Sequence, residues 1–297
     1  MRRVLLAPIS YGLGDLVVSL PALDALVAQG QPVWLVARAA SQELLAERIA
    51  GLAGVVAEQG LVVHADDRLV DLRDHPLQRD YWWGSPAFDA AFGPLGINDI
   101  LARICADFGI SADFSRPAPL LARERTGLDD TVLLVHETDG PAKHWPLDCW
   151  ARVVAALRAD GHRIAHVTKA AVPSPMDTLG VAGVVLPTPG DVVDALSSCR
   201  GVIGIDTGIT HVAAQQGTPT VTVCRRSSVY FRPWPHCRVV RGDSCTDACT
   251  AAEGGYAYNR EVSLEHFRPS RWGCPSGSPC MGGADPEDVV DRLRELL

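Results

Sequence analysis

The chain has 297 residues, 47% hydrophobic and 21% charged, with a formal net charge of −8 from 27 basic and 35 acidic side chains. This composition is globular rather than disordered, and its acidic balance speaks against general affinity for nucleic acid or an anionic membrane, so an anionic ligand would need a local site. The length favours two domains of about 150 residues. No apolar run is long enough to span a membrane, and Val4–Ile9 is too short for a signal-peptide core, which predicts a cytoplasmic protein.

In chain order, β-branched runs predict strands at Val4–Ile9, Val33–Ala37, Val62–His64 and Leu69–Asp71. Helical periodicity predicts helices at Leu16–Ala28, Gln42–Ile49 and Asn98–Phe108. Ser115–Asp130 has two prolines and little periodicity, and reads as a linker. The pattern then restarts, with strands at Thr131–His136, Arg163–Thr168, Val184–Leu186, Gly201–Ile205 and Thr220–Val223, and helices at Leu147–Ala159 and Asp191–Ser198. Arg225–Gly283 carries few periodic signals, and a last helix, Pro286–Leu297, opens with Asp285 as N-cap. Alternating strands and helices specify an α/β fold of parallel layers. We divide the chain into an N-terminal domain at 1–125, a C-terminal domain with a Cys-rich tail at 126–284, and a terminal helix at 285–297. Two such units enclose a cleft, and ligands bind beyond the carboxyl ends of the strands.

Three stretches fall at such ends. In Tyr11-Gly12-Leu13-Gly14-Asp15, the glycines Gly12 and Gly14 allow backbone to approach a ligand, and the N–H groups opening the next helix attract anions. The dinucleotide pattern G-x-G-x-x-G is not met, because Val17 stands at its last position. Asp15 has two readings: a carboxylate aimed into the cleft, or a helix cap. In Gly201–Val223 a strand runs into Asp206-Thr207-Gly208, with His211 one turn into the following helix. The N–H groups at Thr207 and Gly208, the Thr207 hydroxyl and His211 would suit a diphosphate; the alternative is a capping Asp206 and a helix-face His211. Lys143, in the loop after Thr131–His136, could neutralise a phosphate in the same cleft or be a solvated surface charge.

Together, Ser10-Tyr11-Gly12-Leu13-Gly14-Asp15 with Leu20-Pro21-Ala22-Leu23, Lys143-His144-Trp145-Pro146, Asp206-Thr207-Gly208 with His211-Val212-Ala213-Ala214, Gly217-Thr218-Pro219 and Cys280-Met281 resemble the ADP-heptose glycosyltransferases of glycosyltransferase family 9. The resemblance implies a GT-B architecture of two Rossmann-like domains facing each other across a cleft, inverting transfer, and no metal cofactor for catalysis. It implies Asp15 as general base toward the acceptor hydroxyl, and Lys143 with Asp206, Thr207, Gly208 and His211 as binders of the sugar nucleotide. One carboxylate at the reacting carbon suits direct displacement, where a retaining enzyme would want a second, nucleophilic one. His136-Glu137-Thr138-Asp139 departs from the small, serine-rich residues usual in the lipopolysaccharide enzymes. Asp71–Gly84 with Ile97-Asn98-Asp99-Ile100 is more similar to the branch that heptosylates bacterial autotransporter proteins. That branch carries a cysteine-ligated iron.

Nine cysteines leave at least one thiol outside any set of intrachain disulfides. Cys105, Cys149, Cys199 and Cys224 stand singly in apolar-periodic segments, as buried reduced thiols do. Cys245-x3-Cys249 and Cys274-x5-Cys280 could hold a structural iron or zinc tetrahedrally, with Cys237 as an alternative ligand, or remain reduced thiols. The expected partners are a nucleotide-sugar donor of ADP-heptose type and an acceptor hydroxyl on a protein or small molecule, with no nucleic acid; the sequence leaves room for a homo-oligomer. Two alternatives stand beside this: transfer from another nucleotide sugar, and a non-catalytic sugar-nucleotide-binding protein of the same fold.

Overall fold

The computed structural model describes residues 3–81, 83, 86–138, 143–225, 229–242 and 279–297. All four residues of β1 (Val4–Ala7) are buried, as suits a parallel strand covered on both faces. It lies inside a parallel sheet of order β3-β2-β1-β4, formed with β2 (Val33–Ala37), β3 (Gly54–Ala57) and β4 (Arg68–Asp71), with Leu5 opposite both Trp34 and Leu69. Helices α1 (Leu13–Ala28) and α2 (Ala40–Ala46) provide the crossovers. Three further helices, α3 (Pro76–Arg79), α4 (Pro86–Phe92) and α5 (Ile97–Asp107), precede the connecting segment.

The second sheet contains β5 (Thr131–Val135), β6 (Arg163–Thr168), β7 (Ala182–Val185), β8 (Gly201–Ile205), β9 (Thr220–Cys224) and β10 (Cys237–Arg241), in the order β10-β9-β8-β5-β6-β7 and parallel throughout. Its crossover helices are α6 (Leu147–Ala159), α7 (Pro189–Ser198) and α8 (Gly208–Gln215). Strand order reverses between β1 and β4 in one sheet and between β5 and β8 in the other, and a Rossmann-type sheet forms its ligand crevice at such a reversal. The fold is that of two Rossmann-like domains across a cleft, as expected.

One face of the second sheet, with Val132, Leu134, Ile203 and Ile205, packs against α6 and the terminal helix Pro286–Arg294. The other face, with Leu133, Val135 and Val202, is continuous through Val192 and Val212 with Leu16, Leu20 and Leu23 of α1, so a single apolar cluster crosses between the domains. Contacts of α1 with α8 and of α2 with α7 build the junction. Polar clamps reinforce it. Arg48 makes a bidentate pair with Asp194, Nη1 to Oδ1 at 2.9 Å and Nη2 to Oδ2 at 2.7 Å. Pro21 leaves the Val17 carbonyl without its usual helical donor, and the buried Arg232 reaches α1 at the adjacent carbonyl, Val18 O, while also donating to Asn98.

Several expected elements differ. Val62–His64 is not a strand: Val62 and Val63 are 64% and 44% exposed, and the sheet edge is taken by Gly54–Ala57. A strand at Cys237–Arg241 falls inside the stretch expected to lack regular structure. Helix α1 begins three residues before the expected Leu16 because Gly12 caps it, and the last helix ends at Arg294 rather than Leu297. Asp285 caps that helix as expected, accepting from Glu287 N at 3.2 Å.

Candidate active site

The loop after β1 leads into α1 at Leu13, and Asp15 is the third helical residue. Its Oδ2 accepts the Gly12 N–H at 2.8 Å, so the capping reading is realised. That bond occupies one oxygen, and Oδ1 has no hydrogen-bond partner among the described residues. Asp15 also lines a cleft of about 1290 Å³ between the domains, so the second reading holds geometrically too. Burial pushes its carboxyl above the ordinary range; the Gly12 N–H and the charges of His211 and Lys143 pull the other way, and Asp206 adds to the rise.

Across the cleft, β8 delivers Asp206 and α8 starts two residues later. Lys143 Nζ donates to Asp206 Oδ2 at 2.8 Å and to its carbonyl at 3.1 Å, while His211 Nε2 donates to Oδ1 at 3.2 Å. Burial raises the Asp206 carboxyl, but Lys143 and His211 outweigh it and hold the group far below the usual carboxylate range. Asp206 therefore stays ionised and fixes the two cationic or donor groups. Thr207 is the N-cap of α8, yet its side chain does not cap: Oγ1 lies 3.3 Å from Thr210 Oγ1. The first-turn N–H groups of α8 thus lack a side-chain cap, which leaves them suited to an anion.

The helix ends meet closely. A Cβ on Gly14 would lie 3.0 Å from His211 Cδ2, and one on Gly208 would lie 2.9 Å from Leu13 Cβ and 3.0 Å from Gly14 N. Gly14 and Gly208 are small because one domain's backbone approaches the other's, a reason sequence alone did not supply. Two positive helix ends are brought together here, a field that favours negative charge. Gly12, Gly14, Asp15, Lys143, Asp206, Thr207, Gly208 and His211 all line the same cleft.

Other residues at the cleft have partners that the sequence did not disclose. Trp83 and Tyr230, one from each domain, stack with centroids 5.3 Å apart and planes 20° apart. Tyr11 accepts a hydrogen bond from Arg73, whose guanidinium also lies 4.5 Å from its ring centroid. His136, at the carboxyl end of β5, lies 2.9 Å from Ser174 Oγ, and burial together with His166 and His144 lowers it to about 4, keeping the imidazole neutral. Only spatial proximity links these pairs, so no local signal announces them.

Cys245, Cys249 and Cys274 lie outside the described residues, as does the side chain of Cys280. Among the described residues, no three His, Cys, Asp or Glu side chains group as a metal site. Cys237 packs with Ala214, Phe231 and Trp234, and burial pushes its thiol up to about 12, which opposes the thiolate a metal requires. Cys105, Cys149 and Cys224 are buried free thiols as expected, and Cys199 is half-buried.

Residues 188–249 match the family model described as glycosyltransferase family 9 (heptosyltransferase), a span that holds Asp206, Thr207, Gly208 and His211. No curated protein sequence matches the chain. Among solved structures, E. coli heptosyltransferase WaaC with ADP aligns with a TM-score of 0.67 at 15% identity, over 99% of this chain and 100% of that one. The bacterial iron-containing dodecameric glycosyltransferase TibC from enterotoxigenic E. coli aligns with a TM-score of 0.67 at 16% identity, over 99% and 76%. A glycosyltransferase family 9 protein from Veillonella parvula aligns with a TM-score of 0.65 at 14% identity, over 99% and 97%. The chain therefore has the fold of these GT-B glycosyltransferases and carries a family 9 segment in its C-terminal half.

Proposed function

We propose that the protein is an inverting, metal-independent glycosyltransferase that moves a heptose from ADP-heptose to an acceptor hydroxyl. The observation that carries this is the pairing of Asp15, a carboxylate with a raised pKa and one open oxygen, with the Lys143–Asp206–His211 cluster in one cleft. Similarity to WaaC, solved with ADP and with ADP-2-deoxy-2-fluoro heptose, supports the choice of donor.

In this reading the donor diphosphate lies against the first turn of α8, with Lys143 and His211 donating to it. The acceptor hydroxyl hands its proton to Asp15 as its oxygen bonds to the anomeric carbon. The bond from that carbon to the diphosphate oxygen breaks with its electron pair, and the charge left on ADP is met by groups already in place. Asp206 orients those groups and stays off the reacting carbon. We read the acceptor as a protein or natural product rather than lipopolysaccharide core, a reading that the acidic net charge of −8 supports against an anionic membrane surface. We assign the enzyme to the cytoplasm. Likeness to an iron-containing dodecamer supports one structural iron or zinc on Cys245, Cys249, Cys274 and Cys280, and a homo-oligomeric state.

The test is ADP release from ADP-heptose. Asp15→Asn should lower kcat by about 10² or more while ADP affinity by calorimetry stays near wild type. Because the base works only when deprotonated, the rate should fall as pH drops through a midpoint above the ordinary carboxylate range. Full turnover by Asp15→Asn would eliminate the general-base role. Wild-type protein that binds ADP-heptose without cleaving or transferring it would establish the non-catalytic alternative.

A further inference from the structure

Asp15 sits at the head of a helix, but the segment that aims it, Ile9–Gly12, belongs to neither a strand nor a helix. Three side chains hold that segment. Gln42 of α2 is fully buried; its Oε1 accepts the Arg38 N–H at 2.9 Å, which fixes the sense of the amide and sends Nε2 to Ser10 O at 3.0 Å and Gly12 O at 2.9 Å. Gln78 Nε2 donates to Ile9 O at 3.2 Å. Ser19, on α1 itself, accepts from Ile9 N at 3.4 Å and donates to the Asp15 carbonyl at 2.7 Å.

We propose that Gln42 is a positioning residue for Asp15, fixing the Ser10 and Gly12 carbonyls on either side of the Gly12 N–H that grips one oxygen of the base. This rests on the reading of Asp15 as general base. Both backbone groups of Gly12 are engaged: its carbonyl accepts from Gln42 and from Leu16 N at 3.3 Å, and its N–H donates to Asp15 Oδ2 at 2.8 Å. Gln42 does not itself line the cleft, although its neighbours Ser41 and Leu44 do, so it acts through the loop rather than on substrate. Removing its donors takes one hydrogen bond from the buried Ser10 carbonyl and one from the Gly12 carbonyl, which keeps Leu16 N, and the loop can make up both by turning toward water. That movement carries the Gly12 N–H away from Asp15. The carboxyl then loses a contact that lowers its pKa and drifts from its working position.

Gln42→Met keeps the length of the side chain and removes both donors. With ADP-heptose as donor and water as acceptor, kcat for ADP release should fall by roughly 10- to 100-fold, the scale of a small misplacement of a reacting group. ADP affinity by calorimetry should stay at its wild-type value, and the acid limb of the kcat profile should move to higher pH. In the Asp15→Asn background the same substitution should have little further effect, since no base remains to position. A wild-type rate and an unmoved acid limb would overturn the proposal. So would a lower rate with an unmoved limb and a matching loss of ADP binding, which marks a packing defect. If Gln42→Met does not fold, Ser19→Ala releases the same loop and is judged by the same criteria. Failure of the underlying reading is separately visible: Asp15→Asn would then turn over at the wild-type rate, whereas an inactive Asp15→Asn beside an unaffected Gln42→Met defeats the clamp alone.

Discussion

Arg48→Ala removes the buried pair that ties the turn after α2 to α7. Arg48 and Asp194 are 8% and 5% exposed, and the guanidinium also donates to Leu121 O at 3.0 Å. Stripping one partner from a buried ion pair costs about 3–5 kcal/mol, because the other charge is left without compensation. Here Asp194 keeps two backbone donors, Arg123 N at 2.7 Å and Glu124 N at 3.3 Å, each worth about 1 kcal/mol. The expected loss is therefore about 2–4 kcal/mol, read by urea denaturation at neutral pH. The sign of its pH dependence follows from the Asp194 carboxyl. Burial raises it, but Arg48 and the two N–H groups outweigh that and depress it. Stability from the pair is thus complete above the unfolded carboxylate pKa and lost as pH falls through the folded one. The gap between wild type and variant should narrow in acid. A loss below about 1 kcal/mol at pH 7, or additive effects of Arg48→Ala and Asp194→Ala in a double-mutant cycle, would refute the argument.

Lys143→Ala should weaken ADP binding by about 1–3 kcal/mol in calorimetry, toward the upper end because it also leaves Asp206 facing the phosphates without its cation. Unchanged affinity would reduce Lys143 to a partner of Asp206. Gly208→Ala places a Cβ 3.0 Å from Gly14 N, a backbone atom that cannot swing aside; denaturation should show a loss of about 1–3 kcal/mol. Metal analysis of protein prepared without a histidine tag should give close to one iron or zinc per chain, lost together with thermal stability in the Cys245→Ser, Cys249→Ser double variant. Metal-free protein that is folded and active would leave reduced thiols in its place.

The sequence made the interior strands legible. Val33–Ala37, Arg163–Thr168 and Gly201–Ile205 carry β-branched runs bounded by turn residues, and their observed limits agree with those expected. Edge strands were harder. Gly54–Ala57 is a short apolar run, Gly-Val-Val-Ala, whose residues alternate between half-buried and exposed, and nothing local sets it above the similar Val62-Val63. The early start of α1 was hidden because a glycine cap with its partner at Asp15 does not resemble the usual Ser, Thr or Asn signal. At the site, the residues were legible but their pairing was not. Lys143 and Asp206 meet because β5 and β8 are neighbours, a fact of strand order rather than of spacing. Gln42 was missed for a related reason: a single polar residue on a short helix reads as surface until the loop packed over it is known.

The apolar cluster shared by the two domains bears on how the molecule comes apart. Half a chain ending near the connecting segment would lose Val192 and Val212 from the cluster that Leu16, Leu20 and Leu23 of α1 belong to, and bare to water the face of α1 that α8 now meets. Each half shares part of its interior with the other, so heating should melt both together in one cooperative transition, with calorimetric and van't Hoff enthalpies in agreement. The same continuity resists a book-like opening of the cleft, since spreading the covers would wet the spine. Admission and release of ligands then fall to the loops at the mouth, and the tempo of turnover would be theirs to set.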